Sequence, residues 1–162
     1  MVTQPSREVL DELDEKVAKY LVISMNCAQT SFVTLQEQFE LGDGAVLKAL
    51  TSFPGIALRG ETCGAVTGSL MALGLVFGRE KLDDQEGFFA SLPSARTFCH
   101  RFEEELGSTM CGDILESEVG KRYDLADPAQ VAEWQAAGGP DKCTAVVRKA
   151  VRIAAEIIQG KT

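Results

Sequence analysis

The chain has 162 residues, 45% of them apolar and 25% charged, which is the balance of one ordinary folded domain and excludes a disordered chain. Its 24 acids against 16 bases leave a formal charge of −8, with no cationic excess for neutralising a phosphate backbone or an anionic lipid surface. Nucleic-acid and membrane-surface partners are therefore not expected, and a basic protein partner would suit the charge.

Helical periodicity dominates from the start. Val9, Leu10, Leu13, Val17, Tyr20 and Leu21 form an apolar stripe, with Ser6 as its N-cap and Glu8 in the first turn. Met1 to Tyr20 contains no apolar leader core, so no signal peptide is read there. Asn26, with Gln29 three residues on, has the spacing of a capping box. The helix that follows buries Ala28, Phe32, Leu35 and Phe39 and stops near Gly42. A short helix over 44–52 precedes the breaker Pro54-Gly55, and 55–61 reads as a loop with glycine near both ends.

Thr62 is positioned to cap a helix from Cys63 to about Phe77. Gly64 and Gly68 lie one turn apart with Ala65 and Ala72 beside them, so another helix can approach closely. The run from Ala65 to Phe77 falls short of the roughly 20 residues needed to span a bilayer. Ser94 is expected to cap a helix burying Ala95, Phe98, Cys99, Phe102 and Leu106, and Ser108 a short helix through Leu115. Residues 116–126 form the least structured segment. Asp127-Pro128 then opens a helix through Trp134, Gly138-Gly139-Pro140 breaks it, and Asp141 caps the last helix. There Val146, Val147, Ala150, Ile153, Ala154, Ile157 and Ile158 recur at helical spacing. The expected fold is all-α: a single domain over residues 1–162, an irregular bundle of about six to eight helices.

These helices sort the five cysteines. Cys27, Cys63, Cys111 and Cys143 each fall within a first turn as drawn above, and Cys99 lies mid-helix among phenylalanines. Free N–H groups and the positive end of the helix dipole favour a thiolate, the form that attacks disulfides and binds metals. Cytoplasmic residence is the default without a leader or a span, and there five cysteines suit redox or metal chemistry better than a disulfide framework. Cys99 reads as a core filler. His100, the sole histidine, reads as a solvated helix residue, with an axial or substitute ligand role as its alternative.

At these residues the chain resembles the redox-active proteins named for a C_GCAxxG_C_C cysteine pattern. Cys27-Ala28-Gln29 resembles the first block, and Gly60 to Gly68, continuing through Leu73 to Gly78, the glycine-rich centre. Phe102, Gly107-Ser108 and Cys111 resemble the third block, and Cys143 with Val146, Val147 and Ala150 the last. One departure stands out: Thr62 precedes Cys63, and Gly64 separates it from Ala65, where the pattern has glycine before and alanine directly after. The resemblance implies redox chemistry. A related domain occurs in a multihaem cytochrome that also holds an iron–sulfur centre, which points to cluster binding, while the absence of a CxxCH string argues against covalent haem.

The leading expectation is an electron-transfer protein whose Cys27, Cys63, Cys111 and Cys143 ligate an iron–sulfur cluster, with Gly64 and Gly68 supporting the site and an unidentified redox protein as partner. Zinc in the same thiolates, or no metal at all, are the alternative cofactor assignments. Two further readings compete: metal-free thiol/disulfide chemistry, and a non-enzymatic helical scaffold, homodimeric through the Gly64/Gly68 face, with inert thiols. The four first-turn cysteines are expected to share one site that Cys99 does not join.

Overall fold

A computed structural model describes residues 4–161; residues 1–3 of the segment read for a leader lie outside it. The described residues form eight helices and no extended strand: α1 Arg7–Ser24, α2 Cys27–Phe39, α3 Gly44–Ala49, α4 Gly64–Phe77, α5 Gln85–Leu106, α6 Cys111–Val119, α7 Pro128–Ala136 and α8 Gly139–Gln159. The all-α expectation holds. No helix among them is long and apolar enough to cross a membrane.

The core sits where α1, α2, α4, α5 and α8 meet. The last helix contributes the stripe read from its sequence, with Val146, Val147, Ala150, Ile153, Ala154 and Ile158 buried. Phe98 and Phe102 of α5 stack 6.0 Å apart and reach the core with Phe32 of α2 and Leu13 and Val17 of α1. Helix α4 is apolar on nearly every side, as suits a helix enclosed by others.

Several caps stand where the sequence puts them. Ser6 Oγ accepts from Val9 N at 3.3 Å, Asn26 Oδ1 from Gln29 N at 2.9 Å, and Asp127 Oδ1 from Ala129 N at 3.0 Å. Other boundaries move. Helix α5 begins at Gln85, capped by Asp84, rather than at Ser94, because its first three turns lie largely exposed and carry no apolar period. Ser94 donates its hydroxyl to the Ser91 carbonyl within that helix. Helix α6 continues past Leu115 to Val119 before Gly120 stops it at φ 99°. The segment read as least structured is thus partly helical, and Arg122 ties the rest back by ion pairs to Asp113 and Glu116.

Candidate thiol site

The site is built on the crossing of α2 and α4, where two backbones approach too closely for side chains. A Cβ added at Gly68 would stand 2.1 Å from both the Ala28 carbonyl oxygen and Ser31 Oγ. One added at Gly64 would stand 2.4 Å from Cys27 Sγ and 2.7 Å from Ala28 N. Both glycines thus admit the close approach of another helix that their spacing predicts. Their face is covered by α2 of the same chain.

Asn26 fixes the start of α2. While its Oδ1 caps the helix, its Nδ2 donates to the Thr51 carbonyl at 3.0 Å. Gln29 departs from the capping-box pattern: its Nε2 donates outward to the Leu47 carbonyl and to Thr51 Oγ1. These bonds bolt α3 and the 3₁₀ turn Leu50–Ser52 onto the first turn of α2, next to Cys27.

An isolated antiparallel bridge between Thr62 and Met110 brings in the next two cysteines. Cys63 N donates to the Thr109 carbonyl at 2.8 Å, Cys111 N to that of Glu61 at 2.7 Å, and Gly112 N to that of Gly60 at 2.9 Å. Residues one step beyond a directly paired couple turn to the same side, so the bridge sets Cys63 and Cys111 on one face. Thr62 is consumed by this pairing, and the cap of α4 is Cys63 itself. Likewise Met110, not Ser108, caps α6; Ser108 Oγ accepts from Met110 N and donates to Asp113 Oδ2. Helix α8 starts at Gly139 after a left-handed Gly138, so Asp141 is not its cap and Cys143 is its fifth residue, past the first turn.

A strained segment leads into this bridge. Gly55, Ile56, Ala57 and Leu58 all have φ between 49° and 61°, one turn of left-handed helix closed by Leu58 N to the Pro54 carbonyl at 2.8 Å. Each of the three non-glycine residues costs roughly 1–2 kcal/mol there. The turn holds Gly55 against the site, where its missing Cβ would lie 3.5 Å from Cys111 Cβ. Nothing in the residues Ile-Ala-Leu announces that conformation.

The thiols respond to their surroundings in opposite directions. The Cys63 thiol donates to the Cys27 sulfur, which lowers Cys27; burial opposes this, and the backbone N–H groups of Gly64, Cys27 and Ala28 reinforce it. The Cys27 sulfur thus sits at the joint N-termini of α2 and α4. Its partner Cys63 is pushed well up by that same bond, by burial, and by the charges of Cys27 and Cys111. Burial raises Cys111 to about 12, helped by the Cys27 charge. Cys143 is likewise raised to about 12 by burial, then by the Cys27 and Cys111 charges. Of the four, Cys27 alone is lowered, by the Cys63 bond first and by N–H groups of two helix starts after it; Cys63 is raised first by that same bond, and Cys111 and Cys143 first by burial.

The Cys27 and Cys111 charges act on both Cys63 and Cys143, and the Cys27 charge acts on Cys111. Cys99 is outside this set: it is half-buried in mid-α5, raised by burial and by the Glu103 charge. His100 is exposed and pairs with Glu104 at 3.4 Å, as a solvated residue would. The donor set suits iron–sulfur or zinc in kind, being all thiol. Among the described residues, however, no three His, Cys, Asp or Glu side chains stand grouped as ligands of a single metal ion.

A family model described as "Putative redox-active protein (C_GCAxxG_C_C)" matches residues 25–157, a stretch that holds all four cysteines. No curated protein matches the chain, and no solved structure does.

Proposed function

Because the chain belongs to the C_GCAxxG_C_C family of redox-active proteins, we propose that Cys27 and Cys63 are its working dithiol and that it exchanges thiols for disulfides. What carries this reading is the seating of Cys27 Sγ against Gly64, the residue after Cys63, at the meeting of two helix N-termini, with each thiol shifting the other in opposite directions. Cys27, half-buried and lowered, is the attacking thiolate. It displaces one sulfur of a partner disulfide as a thiolate, forming a mixed disulfide. Cys63 then passes its proton to the partner thiolate just released, attacks the Cys27 sulfur and releases the second partner sulfur as a thiolate, which takes a proton from water. One protein dithiol and one partner disulfide become one protein disulfide and two partner thiols. Cys111 and Cys143, held as neutral thiols, keep the pocket uncharged around the pair.

A second reading rests on the all-thiol composition of the site. Cys27, Cys63, Cys111 and Cys143 would hold an iron–sulfur cluster, which would supply one-electron transfer to a redox partner. The two readings separate in protein purified without oxygen, by iron and acid-labile sulfide content, a visible spectrum and disulfide mapping. The dithiol reading expects colourless protein in which oxidised dithiothreitol forms a Cys27–Cys63 disulfide, lost in Cys27→Ser and Cys63→Ser. Iron and sulfide in matching amounts, lost in Cys63→Ser, would replace it with the cluster reading.

A further inference from the structure

Away from the thiols, α1, α5 and α8 enclose a cleft of about 450 Å³ floored by the buried Ile153. Four cations line it: Arg101 from α5, and Arg148, Lys149 and Arg152 spaced along one face of α8. In a chain of charge −8, such a gathering runs against the overall balance.

The four fall into two pairs with different employment. Arg152 is held by Asp14 of α1 in a two-pronged bond, Nε at 2.9 Å and Nη2 at 2.7 Å from the carboxylate oxygens. Arg101 is held by Glu156. Arg148 and Lys149 make no ion pair among the described residues. Arg148 places only its Nε, 3.2 Å from the Asp14 carbonyl, which anchors the guanidinium and leaves both Nη groups uncommitted. Arg148 and Lys149 are both half-buried as residues, and neither has a carboxylate partner among the described residues. Against them stands Glu105, exposed and without an ion pair among the described residues.

We propose that this cleft binds a small molecule bearing an oxyanion group, a phosphate or a carboxylate. An anchored guanidinium with two free Nη groups is pre-organised for two oxygens of one such group, and the neighbouring ammonium adds a point charge. The paired Arg152 and Arg101 form the fixed walls. The volume falls within the range of small-ligand sites and exceeds what a bare inorganic ion would fill.

The test is the thermal midpoint of the full chain in pyrophosphate or in citrate, each against potassium chloride at equal ionic strength. A rise of about 3 °C or more over the chloride control is expected from at least one anion. It should disappear in Lys149→Ala and in Arg148→Ala. Lys149 makes no ion pair, so that variant keeps the test valid even if Arg148→Ala unfolds. Response to pyrophosphate alone assigns a phosphate ligand, to citrate alone a carboxylate, and to both an oxyanion site without preference. No rise beyond the chloride control, or a rise that survives Lys149→Ala, overturns the proposal.

Discussion

Cys27 and Cys99 are both half-buried cysteines in helices, yet their thiols shift in opposite directions. Cys99 lies in the interior of α5, where every nearby backbone N–H is already spent on the helix, and burial beside Glu103 only penalises its thiolate. Cys27 opens α2 and faces the opening of α4, so N–H groups from both helices point at its sulfur. The difference is not one of residue type. It lies first in the Cys63 thiol beside Cys27 and then in the two helix starts that meet at its sulfur, and that meeting depends on two glycines.

The largest test removes the convergence itself. Gly68→Ala would push a methyl group into the Ala28 carbonyl, which is backbone and cannot rotate away. A loss of about 3 kcal/mol or more is expected from chemical denaturation, at the upper end for overpacking. A loss below about 0.5 kcal/mol would show that the crossing yields freely and does not hold the thiols.

Next comes alkaline stability. Cys111 and Cys143, raised to about 12 from an ordinary 9.0, stay protonated in the fold while the unfolded chain ionises. The unfolded state then binds fewer protons, so stability is full below about pH 9 and is lost as pH rises towards 12. Each thiol can contribute up to about 1.4 kcal/mol per pH unit in that window. Denaturation midpoints should fall steeply there, and less steeply in Cys111→Ser and Cys143→Ser. An equal slope in all three proteins would mean that these thiols are not held neutral.

The smallest expected effect belongs to Cys99. Cys99→Ser should change stability by about 1 kcal/mol or less and leave the alkylation of Cys27 unaltered. In the parent, alkylation followed against pH should show Cys27 ionising below 9.0 and Cys99 above it. The reverse order would break the comparison between the two positions.

Much of the fold was legible because it was local. Ser6, Asn26 and Asp127 cap their helices as read, since a cap needs only an acceptor side chain beside the first free N–H groups. The start of α5 was not legible: its exposed first turns bury nothing, so no apolar period marks them. The left-handed turn at Ile56–Leu58 was invisible for a stronger reason, being contrary to the preference of its own residues. At the candidate site, the close helix approach at Gly64 and Gly68 could be read from their spacing. The caps assigned to three of the four helices there could not, because Thr62 is drawn into a pairing with the sequence-distant Met110, and Ser108 and Asp141 yield to neighbouring residues.

By itself, then, the amino-acid order determined that the chain is helical, where most helices lie, and which cysteines stand near their ends. Those properties follow from apolar spacing and capping chemistry within a few residues. Tertiary structure alone decided which thiol is lowered and which three are raised, because that depends on the pairing of Cys27 with Cys63, on burial, and on N–H groups delivered by a different helix. It also decided that Arg148 and Lys149 would be left unpaired while Arg101 and Arg152 found carboxylates, since those partners lie on other helices or were simply not in reach.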